Sequence, residues 1–187
     1  MKKIVVIGPE STGKSTLCTQ LAAHYKTLWC PEYAREFLEK KGTDYSYDDL
    51  LTIAKGQINR EEAMSHELEA TRQKNSDSIL TAHSSQLFID TDMYVMKVWC
   101  EFVFGKCHSW ILNQIAERKY DMYLLCNVDL PWVADELREY PDLKTRNKLY
   151  HFYKDNMINQ TVPWVNISGT YEERLQTAIN AVDDLIK

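Results

Sequence analysis

Nowhere in this chain do about 20 apolar residues follow one another, the length a membrane-spanning helix needs, so no bilayer partner is expected. The apolar start, Ile4-Val5-Val6-Ile7, is too short for a secretory signal. Basic charge is also scarce: 22 Lys and Arg stand against 27 Asp and Glu, a net charge of −5. That balance gives no electrostatic support to non-specific nucleic-acid binding. No pair of cysteines has C-x-x-C spacing. The five cysteines (Cys18, Cys30, Cys100, Cys107, Cys126) are odd in number and imply reduced thiols in a cytoplasmic protein. A zinc site built on Cys100, Cys107 and His108 lacks the second ligand pair such sites use. The five histidines show no spacing that suggests a metal or a triad. Repeats, low-complexity tracts and linkers are absent as well, so residues 1–187 are expected to form one domain.

What is present begins at residue 8. Gly8-Pro9-Glu10-Ser11-Thr12-Gly13-Lys14-Ser15, followed by Thr16, fits G-x-x-x-x-G-K-[ST] at every fixed position. The β-branched run Lys3–Ile7 precedes it, and Leu17, Leu21, Ala22 and Tyr25 follow at helical spacing. Strand, glycine loop and helix thus come in the order a phosphate-binding loop requires. Backbone N–H groups of residues 8–16 would wrap a polyphosphate at the positive end of a helix. Lys14 would neutralise β- and γ-phosphate oxygens of ATP, and the Ser15 hydroxyl would ligate Mg²⁺.

Further strands are expected over 27–30, 86–90, within 120–127 and over 163–167. Helices are expected over 33–40, 47–75 (with a break near Gly56), 92–104, 108–118, about 147–158 and after Thr170. The polar second half of the 47–75 helix should largely face solvent. Ser168 and Thr170 are candidate caps for the last helix, whose Leu175, Ile179, Val182 and Ile186 share a face. Strands alternating with helices indicate an α/β fold: a five-stranded parallel sheet covered on both faces, in the P-loop kinase arrangement.

Candidate chemistry gathers where strands end. Leu87-Phe88-Ile89-Asp90 has the form of a strand that delivers a carboxylate to Mg²⁺, although Asp90 would serve equally as a helix cap. Asp92 adds a second carboxylate at that edge, where α/β folds bind ligands. After the second strand, Glu32 could accept a substrate hydroxyl proton and Arg35 could pair with phosphate, or both could simply begin a surface helix. Residues 131–148 read as a lid, with Arg138 and Arg146 better candidates than Lys144 and Lys148 to meet a transferring phosphoryl group. Tyr94, Trp99, Phe102 and Phe104 could stack on a flat base, though aromatics at helical spacing are more often core. A GTPase is disfavoured, because Asn127-Val128-Asp129-Leu130 lacks the lysine of a guanine-recognition motif. A regulatory ATPase and a kinase for some other metabolite stay open.

Four segments resemble a known family: residues 8–17, Pro31-Glu32-Tyr33-Ala34-Arg35-Glu36-Phe37, Phe88-Ile89-Asp90-Thr91-Asp92 and Trp132-Val133-Ala134-Asp135-Glu136-Leu137-Arg138. In this order they look like the ribosylnicotinamide kinase domain of bacterial NadR proteins and the stand-alone NadR-like kinases of NAD metabolism. The resemblance implies phosphorylation of nicotinamide riboside by ATP. It does not extend to the DNA-binding or adenylyltransferase domains that NadR proteins often carry. It implies that Ser15 and Asp90 organise Mg²⁺, Glu32 takes or orients the 5′-hydroxyl proton, and Asp92 holds ribose hydroxyls. Arg35 and Arg138 would stabilise transferring charge. The roles of Glu32 and Asp92 are interchangeable on sequence grounds.

Overall fold

The computed structural model describes residues 1–74 and 86–187. Residue 75 of the long expected helix, and His83, lie outside them. In chain order the elements are β1 (Lys2–Ile7), α1 (Lys14–Tyr25), β2 (Trp29–Cys30), α2 (Tyr33–Lys41), α3 (Tyr47–Lys74) and β3 (Gln86–Asp90). Then come α4 (Met93–Phe104), α5 (Ser109–Glu117), β4 (Met122–Cys126), α6 (Leu143–Ile158), β5 (Trp164–Ile167) and α7 (Tyr171–Ile186).

All strand pairings are parallel, and the order is β2-β3-β1-β4-β5. The central strands β3, β1 and β4 are buried on both faces, and Ile4–Ile7, Leu87–Ile89 and Met122–Cys126 read as continuous apolar runs for that reason. On one face Ile4, Val6, Phe88 and Leu124 pack against α1 and α7 residues such as Leu21 and Val182. On the other, Val5, Ile89 and Leu125 meet Val98 of α4 and Tyr153 of α6. A third cluster joins α2, α3, α4 and α5 through Ala34, Ile53, Met96 and Ile111. Because β1 lies between β3 and β4, its C-terminal end is the switch point where such sheets open a crevice.

Several local expectations need correction. Helix α3 runs unbroken through Gly56, because the Tyr33 ring packs onto that backbone: a Cβ there would sit 2.2 Å from a ring carbon. The second half of α3 is not simply solvated. Gln57, Glu61, Ser65 and Leu68 form a buried stripe, with Glu61 neutralised by Lys3 at 2.8 Å and Arg118 at 3.1 Å and accepting from the Tyr120 hydroxyl at 2.8 Å. Helix α6 starts at Leu143, earlier than expected, because Asp142 caps it by accepting from Thr145 N. In α7 Leu175, Ile179 and Val182 of the expected face pack on the sheet, with Arg174 and Ala178 buried beside them, and only Ile186 of that face is exposed. Thr170 caps that helix in a capping box with Glu173. Ser168 instead bonds Asn127 and Asn166.

Gly56→Ala is expected to lower stability. Tyr33 lies against α3, with the guanidinium of Arg60 from the same helix over its ring at 5.0 Å and its backbone N–H bonded to Gln57 at 2.7 Å, so the ring has little room to move aside. Overpacking of this kind costs about 1–3 kcal/mol, and alanine's helix preference returns up to about 1. A thermal melt should show Tm down by several degrees; an unchanged Tm would mean that the ring yields.

Candidate active site

The sheet order delivers four segments side by side: Glu32 after β2, Asp90 at the end of β3, the glycine loop after β1, and residues 127–142 after β4. The loop's conformation follows from its residues. Gly8 has φ +142°, and a Cβ there would meet the Cys126 carbonyl oxygen at 2.7 Å, so only glycine lets β1 turn this tightly beside β4. The Thr12 hydroxyl donates to the Pro9 carbonyl at 2.7 Å, and Lys14 Nζ donates to the same oxygen at 3.0 Å. Lys14 is thereby folded over the loop at the first position of α1.

Asp90 is fully buried, and its carboxylate accepts from the Ser15 hydroxyl at 2.5 Å. Burial, and then the charge of Glu32, push its carboxyl above the usual range, while Lys14 pulls it back. A hydroxyl and crowded carboxylates form an all-oxygen donor set of the kind a hard divalent cation satisfies. Ser15 and Asp90 therefore fit Mg²⁺. Asp90 does not cap α4; Asp92 does, accepting from Tyr94 N at 2.9 Å.

That finding relocates Asp92. The side chain is 2% exposed, its second oxygen accepts from the Tyr123 hydroxyl at 2.9 Å, and burial pushes its carboxyl up to about 7. Both oxygens are engaged inside the fold. Asp92 is not among the residues that line the cavity. Glu32 does line it, with Thr91 donating to its carboxylate at 3.3 Å. Arg35 reaches the rim, but its guanidinium is held by Asp135 at 2.8 Å and Glu39 at 3.3 Å rather than turned to the phosphate loop.

Arg138 lines the cavity, with its guanidinium 3.5 Å from the Ser11 hydroxyl. Arg146, a lid candidate on the same footing as Arg138, is the more buried of the two, at 3% exposure. It donates to the Ser11 carbonyl at 3.1 Å, and its Nε has no partner among the described residues. Both guanidinium groups lie over the Trp132 ring, at 5.9 and 5.3 Å.

Two functional positions escaped sequence reasoning. Arg174 is buried and donates to the carbonyls of Thr12, Asn127 and Gly169, each at 2.9 Å, and pairs with Asp129. It ties the phosphate loop to the ends of β4 and β5. Its signal was legible: a cation near a helix N-terminus, against the dipole, one turn before the buried Ala178. Gln57 accepts from Tyr33 N at 2.7 Å and donates to the Asp90 carbonyl at 3.3 Å, bracing Glu32 and Asp90 from below.

The cavity lined by the glycine loop, Glu32, Asp90 and Arg138 has a volume of about 340 Å³, in the range of small-molecule sites. Besides the glycine loop, its lining includes the aromatic side chains of Trp29, Tyr45, Trp99, Phe102, Tyr140 and Tyr153. Trp99 Nε1 donates to the Tyr45 hydroxyl, which donates to Glu139, each at 2.8 Å. Tyr94 and Phe104 pack elsewhere, against Tyr123 and Tyr47. His108 stacks on Tyr47 and its ring approaches the Tyr47 carbonyl at 3.0 Å. Among the described residues no three His, Cys, Asp or Glu side chains gather as a metal site, and no helix is long and apolar enough to cross a membrane.

A glycine loop at the switch point of a parallel sheet, with a buried carboxylate on the neighbouring strand, defines a P-loop NTPase fold. Residues 3–174 match the family described as AAA domain, and the chain belongs to it. It is distantly related to the trifunctional NAD biosynthesis/regulator protein NadR of Escherichia coli strain K12 (24% identity) and Salmonella typhimurium strain LT2 (22%). Each alignment covers 100% of this chain and 43% of the relative, so the chain spans less than half the length of these curated relatives. Among solved structures it resembles a NadR protein in complex with NR, with TM-score 0.68 and 22% identity over 99% of this chain and 49% of that one. It also resembles thymidylate kinase from Ehrlichia chaffeensis, with TM-score 0.59 and 15% identity over 98% of both chains. At these identities the structural likeness establishes the fold.

Proposed function

We propose that residues 1–187 act as one kinase domain that transfers the γ-phosphoryl group of ATP to the 5′-hydroxyl of nicotinamide riboside, giving ADP and nicotinamide mononucleotide. The observation that carries this reading is the continuity of the cavity from the glycine loop and Asp90 to an aromatic wall. A phosphate donor at one end and a flat ring at the other would place a ribose hydroxyl between them, beside Glu32. The ring of nicotinamide riboside is cationic. Trp99, Tyr45, Phe102 and Tyr140 offer it π-faces, and Glu32 and Glu139 line the cavity with carboxylates. The relationship to NadR supports the same acceptor.

Phosphoryl transfer needs positioning and charge stabilisation more than covalent help from the protein. Lys14 would hold the β- and γ-phosphate oxygens. Ser15 and Asp90 would hold Mg²⁺, which when bound supplies charge neutralisation on the phosphates. Glu32 would orient the acceptor hydroxyl and take its proton. Arg138, over Trp132 at the lid, would face the charge that spreads over the transferring group and shield it from water, with Arg146 over the same ring.

ADP release, measured with a panel of acceptors, tests the reading. Nicotinamide riboside should outpace adenosine, uridine, deoxynucleosides and thymidine monophosphate by about 10²-fold or more, since a site loses heavily when its buried polar groups go unpaired. Equal rates across nucleosides would move the chain to another kinase specificity. ADP release that ignores every acceptor would mark an ATPase.

A further inference from the structure

The fixed positions of the glycine loop serve phosphate, but two of its variable positions face elsewhere. The Glu10 carboxylate accepts from the backbone amides of Glu139 at 3.0 Å and Tyr140 at 3.2 Å. The Ser11 hydroxyl accepts from Val133 N at 2.9 Å, and its carbonyl accepts from Arg146. Ser11 holds φ +55°, a left-handed conformation that L-residues seldom adopt, while making these contacts. The segment so fastened carries Leu137, Arg138, Glu139 and Tyr140, which form one side of the cavity. The backbone of residues 10 and 11, which a polyphosphate would order, is therefore the same backbone whose side chains hold that wall in place.

We propose that Glu10 is a positioning residue that couples the two substrates: its carboxylate fastens the wall of the acceptor cavity to the phosphate loop, so that ATP in the loop tightens the hold on the acceptor. Glu10 itself need touch neither the transferring phosphoryl group nor the acceptor hydroxyl. The inference rests on the kinase reading above. Coupling of this kind is reciprocal, so the acceptor must tighten ATP binding by the same factor, and such factors commonly run from about 5 to 150. Glutamine keeps a carbonyl oxygen that can accept from both amides, whereas alanine leaves them without that partner.

The test is the affinity for nicotinamide riboside, by calorimetry, with and without Mg²⁺ and the non-hydrolysable analogue AMP-PNP. In the native chain the analogue should tighten binding about tenfold or more. In Glu10→Ala that factor should fall to within about twofold of one, with affinity in the absence of nucleotide little changed. Glu10→Gln should restore most of the factor. A native-sized factor in Glu10→Ala, or an equal loss with and without nucleotide, overturns the coupling role. Hydrogen exchange on the native chain gives a second reading that needs neither a variant nor the acceptor. Mg²⁺ with AMP-PNP should slow exchange at the Glu139 and Tyr140 amides, and unchanged exchange there also overturns the proposal. If the native chain binds no nicotinamide riboside at all, the acceptor reading fails, and exchange at these two amides still decides whether Glu10 transmits nucleotide binding to the wall.

Discussion

Lys14→Ala is expected to lower kcat by roughly 10³-fold or more, the scale on which a cation facing a transferring phosphoryl group acts. The fold should survive the change. Lys14 donates to the Pro9 carbonyl within its own loop, at 3.0 Å, and packs into none of the three apolar clusters. A partly exposed hydrogen bond of this kind is worth about 1 kcal/mol, and alanine is a good first residue for α1. The loop's other restraints stay in place, namely the Thr12 hydroxyl on Pro9 and Arg174 on the Thr12 carbonyl. A thermal melt beside the kinetic assay separates the outcomes. Lost turnover with a native melt places Lys14 on the phosphates, whereas native turnover with a native melt removes the phosphate-loop reading altogether.

The legibility of the chain follows from which residues report locally. The loop, the strands and Asp90 could be read because each works through a short segment: a glycine pattern, a β-branched run, an apolar strand ending in a carboxylate. The five-stranded parallel sheet is the arrangement the alternation of strand and helix implied. Glu32 and the aromatic wall were readable as residue types but not as neighbours, since Trp99 and Tyr45 meet only when α3 packs on α4. Asp-Thr-Asp places two carboxylates two residues apart but does not tell where each points: the turn at Thr91, with φ +78°, sends the second into the fold to cap α4. The partner of Arg35 was not legible, because Asp135 lies 100 residues away. Glu61 looked like one more acid on a solvated helix face, and its burial depends on Lys3 and Arg118 arriving from two other elements. The same holds for Glu10. Its motif position is unconstrained, and its partners are backbone amides that carry no sequence signature at all.

Glu32→Gln should lower kcat by about 10²–10⁴-fold with a modest change in KM for the acceptor, as expected when a group acts chiefly on a proton in the transition state. Glu32 has the position for it: the side chain lies on the cavity wall, at the start of α2, with no cap hydrogen bond to occupy it and, among the described residues, only the Thr91 hydroxyl, at 3.3 Å, against its carboxylate. Asp92→Asn is the contrasting variant. Asp92 is buried and does not line the cavity, so its replacement should leave kcat within about tenfold of native and show itself in stability. Burial holds the Asp92 carboxyl at about 7 in the fold, against about 3.9 in an unfolded chain. A carboxyl raised in this way favours the folded state most below pH 4, and the advantage drains away as pH rises through 7. Native Tm should therefore decline between pH 5 and pH 8 more steeply than that of Asp92→Asn, whose amide carries no charge to bury. Kinetics across that pH range, run beside the melts, decide between the two acids. A collapse of kcat in Asp92→Asn with native rates in Glu32→Gln would exchange their roles. It would also require Asp92 to leave the Tyr94 amide and the Tyr123 hydroxyl during turnover.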